Sequence, residues 1–157
     1  MTFRANRPKK QPDVRQLLSY ATWLLARQDY SRASLLDKFK TRFIEDENIF
    51  VQALDKLGEL GLQSDERFAE SYVQSKFSWG GQRLRLEMMR KGIEKELIEA
   101  AIEQHLDEAP RCAEVLATKL RGQPVPEDYK ERQKLLAFLV RRGFGLDTAK
   151  HALRDAQ

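Results

Sequence analysis

Apolar residues recur at steps of three and four along most of this chain. Val14, Leu17, Leu18, Ala21, Leu24 and Leu25 form one stripe. Leu35/Phe39, Ile49/Ala53/Leu57, Phe68/Tyr72, Leu84/Met88 and Ile98/Ile102/Leu106 form others. That period sets each group on one face of an α-helix. No segment alternates apolar and polar residues in the manner of a half-buried strand. Gly and Pro fall between the stripes, as in "WGG" from Trp79 and "RGQPVPED" from Arg121, where they punctuate helices. The pattern predicts an all-α fold of about nine helices, in triplets near 13–61, 64–108 and 110–156.

The triplets share a phrase. "RKGIEKELIEAAI" from Arg90 nearly recurs as "RRGFGLDTAKHAL" from Arg141, and in altered form as "TRFIEDENIFVQAL" from Thr41. Aligned on that phrase, Leu35, Leu84 and Leu135 coincide, as do Phe39, Met88 and Leu139, then Arg42, Lys91 and Arg142, then Ile44, Ile93 and Phe144. Gly92 and Gly143 are expected to end their helices in the left-handed conformation, with Ile93 and Phe144 folding back as the apolar contact after the cap. Phe43 stands where the first repeat should have its glycine, and a bulky residue resists positive φ, so that turn must differ. Three tandem three-helix repeats follow, at 13–62, 63–108 and 109–157, after a basic, disordered tail at 1–12. A three-helix unit of this size buries little alone, so stacked copies complete a core and give an elongated array.

Composition adds little until charge is considered. The chain has 157 residues, 41% of them apolar, which suits a packed core. No apolar run approaches the ~18 residues of a membrane span, and the first residues lack the apolar stretch of a signal peptide, so a cytoplasmic protein is expected. A lone cysteine, Cys112, reads as a small buried hydrophobe. There are 28 Lys+Arg against 24 Asp+Glu, and Arg4, Arg7, Lys9 and Lys10 all precede the first acid, Asp13. The remainder is balanced but segregated. Lys76, Arg83, Arg85, Arg90 and Lys91 crowd one segment with only Glu87 among them, whereas Glu94, Glu96, Glu99, Glu103, Asp107 and Glu108 crowd the next with only Lys95.

The basic second helices are the candidate binding face. Arg83 and Arg90, seven apart, share a side, with Arg85 and Lys91 beside them. Lys134, Arg141 and Arg142 take matching places in the third repeat, and Arg32, Lys38 and Arg42 lie on the second helix of the first. A cation in the last helical turn also stabilises the macrodipole by ~0.3–1 kcal/mol, so capping and solvation are the alternative account. Glu94 and Glu96 are explained by a helix start. Glu99, Glu103 and Asp107 repel one another at four-residue steps, which suggests a basic partner for the acidic third helix. Tyr30, Trp79 and Tyr129 each precede a second helix and are expected to staple its first turn. Ser64 or Asp65 is the expected N-cap of the next helix. No phosphate-cradling glycine loop, metal-spaced His/Cys cluster or nucleophile elbow occurs. His105 and His151 read as surface or satisfied residues, and no catalytic, metal-binding or cofactor-binding residue is assigned.

The segments "SDERFAESYVQSK" from Ser64, "WGGQRLRLEMMRKGI" from Trp79 and "KERQKLLAFLVRRGF" from Lys130 resemble the hallmark segments of the RecX family. "LLARQDYSRASLLDKF" from Leu24 is similar as well. "SWGG" stands where that family more often has Gly-Pro. The resemblance implies three tandem three-helix repeats and a regulator of RecA recombinase that is not an enzyme. Such proteins lie in the groove of the RecA–DNA filament, limit its growth or promote its disassembly, and lower its ATPase, strand-exchange and coprotease activities. The implied partners are RecA and single- and double-stranded DNA without sequence preference, with a monomeric chain and no membrane. The alternative is a helix-turn-helix transcription regulator. In that motif the helix after the turn enters the major groove, yet here that helix carries the acids.

Overall fold

The computed structural model describes residues 8–157. Its described residues are all-helical: α1 (Val14–Leu25), α2 (Arg32–Arg42), α3 (Glu47–Glu59), α4 (Asp65–Ser75), α5 (Gly81–Arg90), α6 (Lys95–His105), α7 (Glu108–Leu120), α8 (Tyr129–Arg141) and α9 (Leu146–Asp155). The only β pairing among them is an isolated parallel bridge between Lys10 and Phe43. The chain divides into two compact units at Phe68/Ala69.

In the first unit α1 and α2 both pack on α3. The apolar stripes meet in a core where Leu17, Ala21, Leu35, Phe39, Phe50 and Leu57 are fully buried, each large side chain contributing ~1.5–3 kcal/mol. Short polar residues fix the helix starts. Asp13 accepts from the Gln16 amide (2.8 Å), Ser31 from Ser34 (3.1 Å) and Asp46 from Ile49 (3.3 Å), satisfying donors that a helix cannot pair internally. Ser64 caps α4 through the Arg67 amide at 3.2 Å. Asp65, the other candidate for that cap, instead reaches back to the Arg32 amide at the start of α2 (2.9 Å) and is held by Gln63 (2.8 Å).

The turn at Phe43 resolves the break in the repeated phrase. Phe43 is extended (φ −120°), the Ile44 amide donates to the Lys10 carbonyl (2.9 Å), and Lys9 Nζ donates to the Lys40 carbonyl (2.8 Å) at the end of α2. The N-terminal segment therefore closes α2 where a glycine would otherwise do so. Two expectations are corrected. Phe43 is the buried residue (5% exposed) and Ile44 is exposed (45%), so the apolar contact after this helix comes one position earlier than alignment with Ile93 and Phe144 implies. And residues 8–12, assigned above to a disordered tail, are docked, with Pro12 buried. Arg4 and Arg7 of that tail lie outside the described residues.

In the second unit α5 pairs with α6, while α7, α8 and α9 enclose a core of Cys112, Leu116, Leu139, Phe144 and Ala149. Burial pushes the Cys112 thiol up to about 11, with Glu108 adding to it, in keeping with a packing role. Gly92 (φ 76°) and Gly143 (φ 97°) are left-handed. The Ile93 amide donates to Met88 (3.1 Å) and Phe144 to Leu139 (3.2 Å), with both side chains buried, the Schellman closure expected from the phrase. α6 ends at His105. Asp107 is therefore the residue that precedes α7, not part of an acidic α6 stripe.

Gly80, which precedes α5, has no side chain to cap it, and the end of α8 and Glu108 take the first amides. The Gly80 amide donates to the Arg142 carbonyl (2.8 Å) and the Gln82 amide to the Gly143 carbonyl (3.0 Å). Glu108 Oε1 takes the Gly81 amide between them (3.0 Å). A Cβ on Gly80 would stand 2.5 Å from Gly143 backbone atoms, and one on Gly143 2.5 Å from Arg83 N and Cβ. This contact is backbone against backbone. From α7, Arg111 donates to the Val73, Lys76 and Trp79 carbonyls, each at 3.2 Å, tying down the end of α4 and the segment before α5. Burial pulls the Arg111 pKa below the ordinary arginine value, Glu108 opposing it.

Candidate nucleic-acid interface

The segment Lys76–Gly81, held by Arg111 and by the α5–α8 contact, carries a cluster of rings and cations. Tyr72 of α4 meets Trp79 edge-on at 6.0 Å. Lys76 Nζ lies 5.5 Å from the Tyr72 ring centre and 5.2 Å from that of Trp79, the Arg83 guanidinium 4.0 Å from Trp79, and Lys91 Nζ 5.9 Å from Tyr72. Burial raises the Tyr72 hydroxyl pKa, Glu87 adding to that and Arg83 opposing it. A second cluster involves α7 and α8. There Lys119 Nζ and the Arg142 guanidinium lie 4.8 Å and 5.2 Å from Phe138, and Arg142 also donates to Ser78 Oγ (3.3 Å). This cluster borders a groove of about 640 Å³ lined by Phe77, Val115, Lys119, Arg121, Phe138 and Arg142 among others.

The candidate bases therefore divide by partner. Arg85 is gripped by Glu99 through two bonds (2.8 and 3.2 Å), and that bond, ahead of the opposing effect of burial, holds the Glu99 carboxyl below its ordinary range. Arg90 pairs with Glu87 (2.8 Å), Lys134 with Glu131 (3.0 Å) and Arg32 with Asp55 (2.8 Å). Each of these four has its charge offset by a carboxylate. Arg83 and Arg142 are instead placed over rings, as is Arg42 of the first unit, 4.4 Å from the Tyr20 ring centre; Lys91 combines its place near the Tyr72 ring with a further contact. Lys38 and Arg141 are exposed and enter no ion pair among the described residues. Glu99, suspected above of awaiting a basic partner, has one in Arg85.

The rings behave less uniformly than expected. Tyr30 packs against the first core. Trp79 is half-buried and serves as a platform for cations rather than a staple alone. Tyr129 is 72% exposed, too open to the solvent for the staple expected of it. Lys76, Lys119, Phe77 and Phe138 were not picked out from the sequence as site residues, although a signal for three of the ring–cation contacts is present. Tyr72/Lys76, Trp79/Arg83 and Phe138/Arg142 are each an aromatic residue with a base four positions later, a spacing that on a helix places one above the other; Trp79 makes its contact from just before α5. The first unit has the same spacing in Trp23/Arg27, whose contact is 3.7 Å.

The fold and this face define the class: an all-helical protein of three-helix repeats, with cations held against aromatic rings. Residues 64–102 match the family model described as RecX, second three-helix domain, and residues 107–153 match RecX, third three-helix domain. A Regulatory protein RecX of Stenotrophomonas maltophilia (strain R551-3) is 35% identical over 98% of this chain and 92% of its own length. A Regulatory protein RecX of Chromohalobacter salexigens is 37% identical over 85% of this chain and 88% of its own. In fold, the crystal structure of RecX from Lactobacillus salivarius matches with a TM-score of 0.75 at 24% identity, covering 92% of this chain and 96% of that one. The chain belongs to the RecX family of regulatory proteins.

Proposed function

We propose that this protein binds the RecA–DNA filament and restrains it, limiting filament growth or promoting disassembly. It thereby lowers the ATPase, strand-exchange and coprotease activities of RecA, and so modulates DNA repair and the SOS response. The observation that carries this reading is the set of second-unit cations laid over rings at Trp79, Tyr72 and Phe138, in a chain whose relatives are named Regulatory protein RecX. Guanidinium and ammonium groups already placed in one orientation lose less entropy on meeting phosphate, and phosphate contact supplies affinity without reading sequence. The protein acts in the cytoplasm as a monomer and does no chemistry of its own. It meets single- or double-stranded DNA together with RecA.

The transcription-regulator alternative is disfavoured by α6, the helix after the turn, which carries Glu96, Glu99 and Glu103 where phosphate would approach. The test is RecA ATPase on single-stranded DNA, titrated with this protein. ATP hydrolysis should fall with dose, and the protein alone should hydrolyse none. Arg83→Gln with Arg142→Gln should weaken inhibition several-fold at unchanged helical content. Full RecA activity in the presence of equimolar protein would overturn the reading.

A further inference from the structure

The first unit holds a groove of about 990 Å³ between α1, the end of α2 and the docked N-terminal segment. Among the described lining residues four are bases, Lys9, Lys10, Arg15 and Arg42, and none is an acid. In a chain with 24 carboxylates, a described lining of that size without one makes a positively charged groove. Three rings line it as well: the buried Phe43, and Tyr20 and Trp23, which stack at 6.4 Å with 18° between their planes. Trp23 remains 52% exposed. Arg27, which does not line the groove, packs against Trp23 and donates to its carbonyl (2.7 Å), and Arg42 is laid over Tyr20. The groove wall exists because Lys9 and Lys10 pair with the end of α2, the arrangement that Phe43 makes possible in place of a glycine turn.

We propose that this groove is a binding site for single-stranded nucleic acid, with a base stacking at Trp23 and backbone phosphates meeting Lys10, Arg15 and Arg42. Stacked rings beside a basic track are how proteins hold single strands without reading sequence. The cations are spread over three segments of the chain and the volume is at the upper end for small-molecule pockets. Both fit a run of phosphates better than the one compact anion of a free nucleotide. An acidic peptide would satisfy the bases without using the part of the Trp23 indole that stays exposed beside Arg27. The site lies outside residues 64–153, where the two family models match. It deepens the filament reading by giving the first unit a strand-binding role, and its test contains no RecA, so failure here and failure of that reading appear in different assays.

Trp79→Phe leaves Trp23 as the one tryptophan of the full chain. In that background a labelled (dT)12 oligomer is titrated, with Trp23 emission and label anisotropy followed together. Saturable quenching of Trp23 in step with the anisotropy is expected. Trp23→Ala should weaken (dT)12 binding about tenfold, the scale of one lost stack. Arg15→Gln with Arg42→Gln should reduce the slope of log affinity against log salt by about 1.4, two single-strand phosphate contacts at about 0.7 each. Unchanged Trp23 emission at saturation would overturn the proposal, as would both variants binding within about twofold of the parent. Equal quenching by a 12-base-pair duplex, by ATP or by polyglutamate would also overturn it, in favour of duplex, nucleotide or acidic protein respectively.

Discussion

Gly143→Ala tests the joint between α5 and α8 directly. Its φ of 97° lies where an L side chain is strained by ~1–2 kcal/mol. The added Cβ would also stand 2.5 Å from Arg83 N and Cβ and 2.9 Å from the Gly80 carbonyl oxygen. Those atoms belong to the start of α5 and yield only if α5 draws away from α8. That movement stretches the Gly80–Arg142 and Gln82–Gly143 hydrogen bonds, each worth ~0.5–1.5 kcal/mol. The combined loss is ~2–5 kcal/mol, and at ~4–8 °C per kcal/mol for a unit of this size the melting temperature should drop by ~10 °C or more. Gly122→Ala isolates the first cost, since its φ is 80° but a Cβ there meets nothing within 4 Å. Thermal and urea unfolding followed by far-UV circular dichroism should place Gly143→Ala ~1–3 kcal/mol below Gly122→Ala. Equal losses would refute the claim that close backbone packing holds the joint.

Cys112, with its thiol pushed up to about 11 by burial, should react with a thiol reagent at about pH 8 far more slowly than free cysteine, and normally only once denaturant is added. Removal of residues 1–12 should lower the melting temperature of the first unit, because it deletes the Lys10–Phe43 pairing and the buried Pro12; an unchanged melting curve would show the docked segment to be dispensable. Glu99→Gln should cost ~0.5 kcal/mol or less near neutral pH, the pair being about 35–44% exposed and screened by solvent. Since the Glu99 pKa is lowered in the fold, its contribution is present above the ordinary carboxylate range and lost as pH falls through the folded value, so parent and variant should converge as the solution is acidified below that range.

The helices and their order were legible because a single period runs through nearly every segment, and Gly92 and Gly143 announce their turns through a conformation that only glycine adopts cheaply. The turn at Phe43 was legible only as an anomaly. Its remedy is a pairing with Lys10, more than thirty residues away in sequence, and periodicity carries no information about such a contact. The α5–α8 joint was hidden for the same reason: "SWGG" reads as a local loop, whereas Gly80 is required by Gly143. The basic face was visible as charge but not as geometry. Ring–cation pairs four residues apart were there to be read. The capture of Arg85 by Glu99 was not, since the two lie on helices whose relative rotation the sequence does not state.

That distinction between partners ranks the candidate bases. A carboxylate at 2.8 Å holds a guanidinium in place and offsets its charge; an aromatic face also holds it but leaves the net charge to act outward. Counting bases alone ignores this difference. Arg85→Gln, Arg90→Gln and Lys134→Gln together remove three cations, all paired with acids. Arg83→Gln and Arg142→Gln remove two, both held by rings. If long-range attraction governs DNA association, the triple variant is the weaker binder, since its net charge falls further. If pre-placed cations make the phosphate contacts, the double variant loses about 1.4 from the single-strand salt slope and most of its inhibition of RecA, while the triple variant keeps both near the parent. Measuring the salt dependence of (dT)12 binding and the RecA ATPase for the two variants separates the cases. Losses that scale with the number of charges removed would refute the assignment of this interface to the ring-held cations.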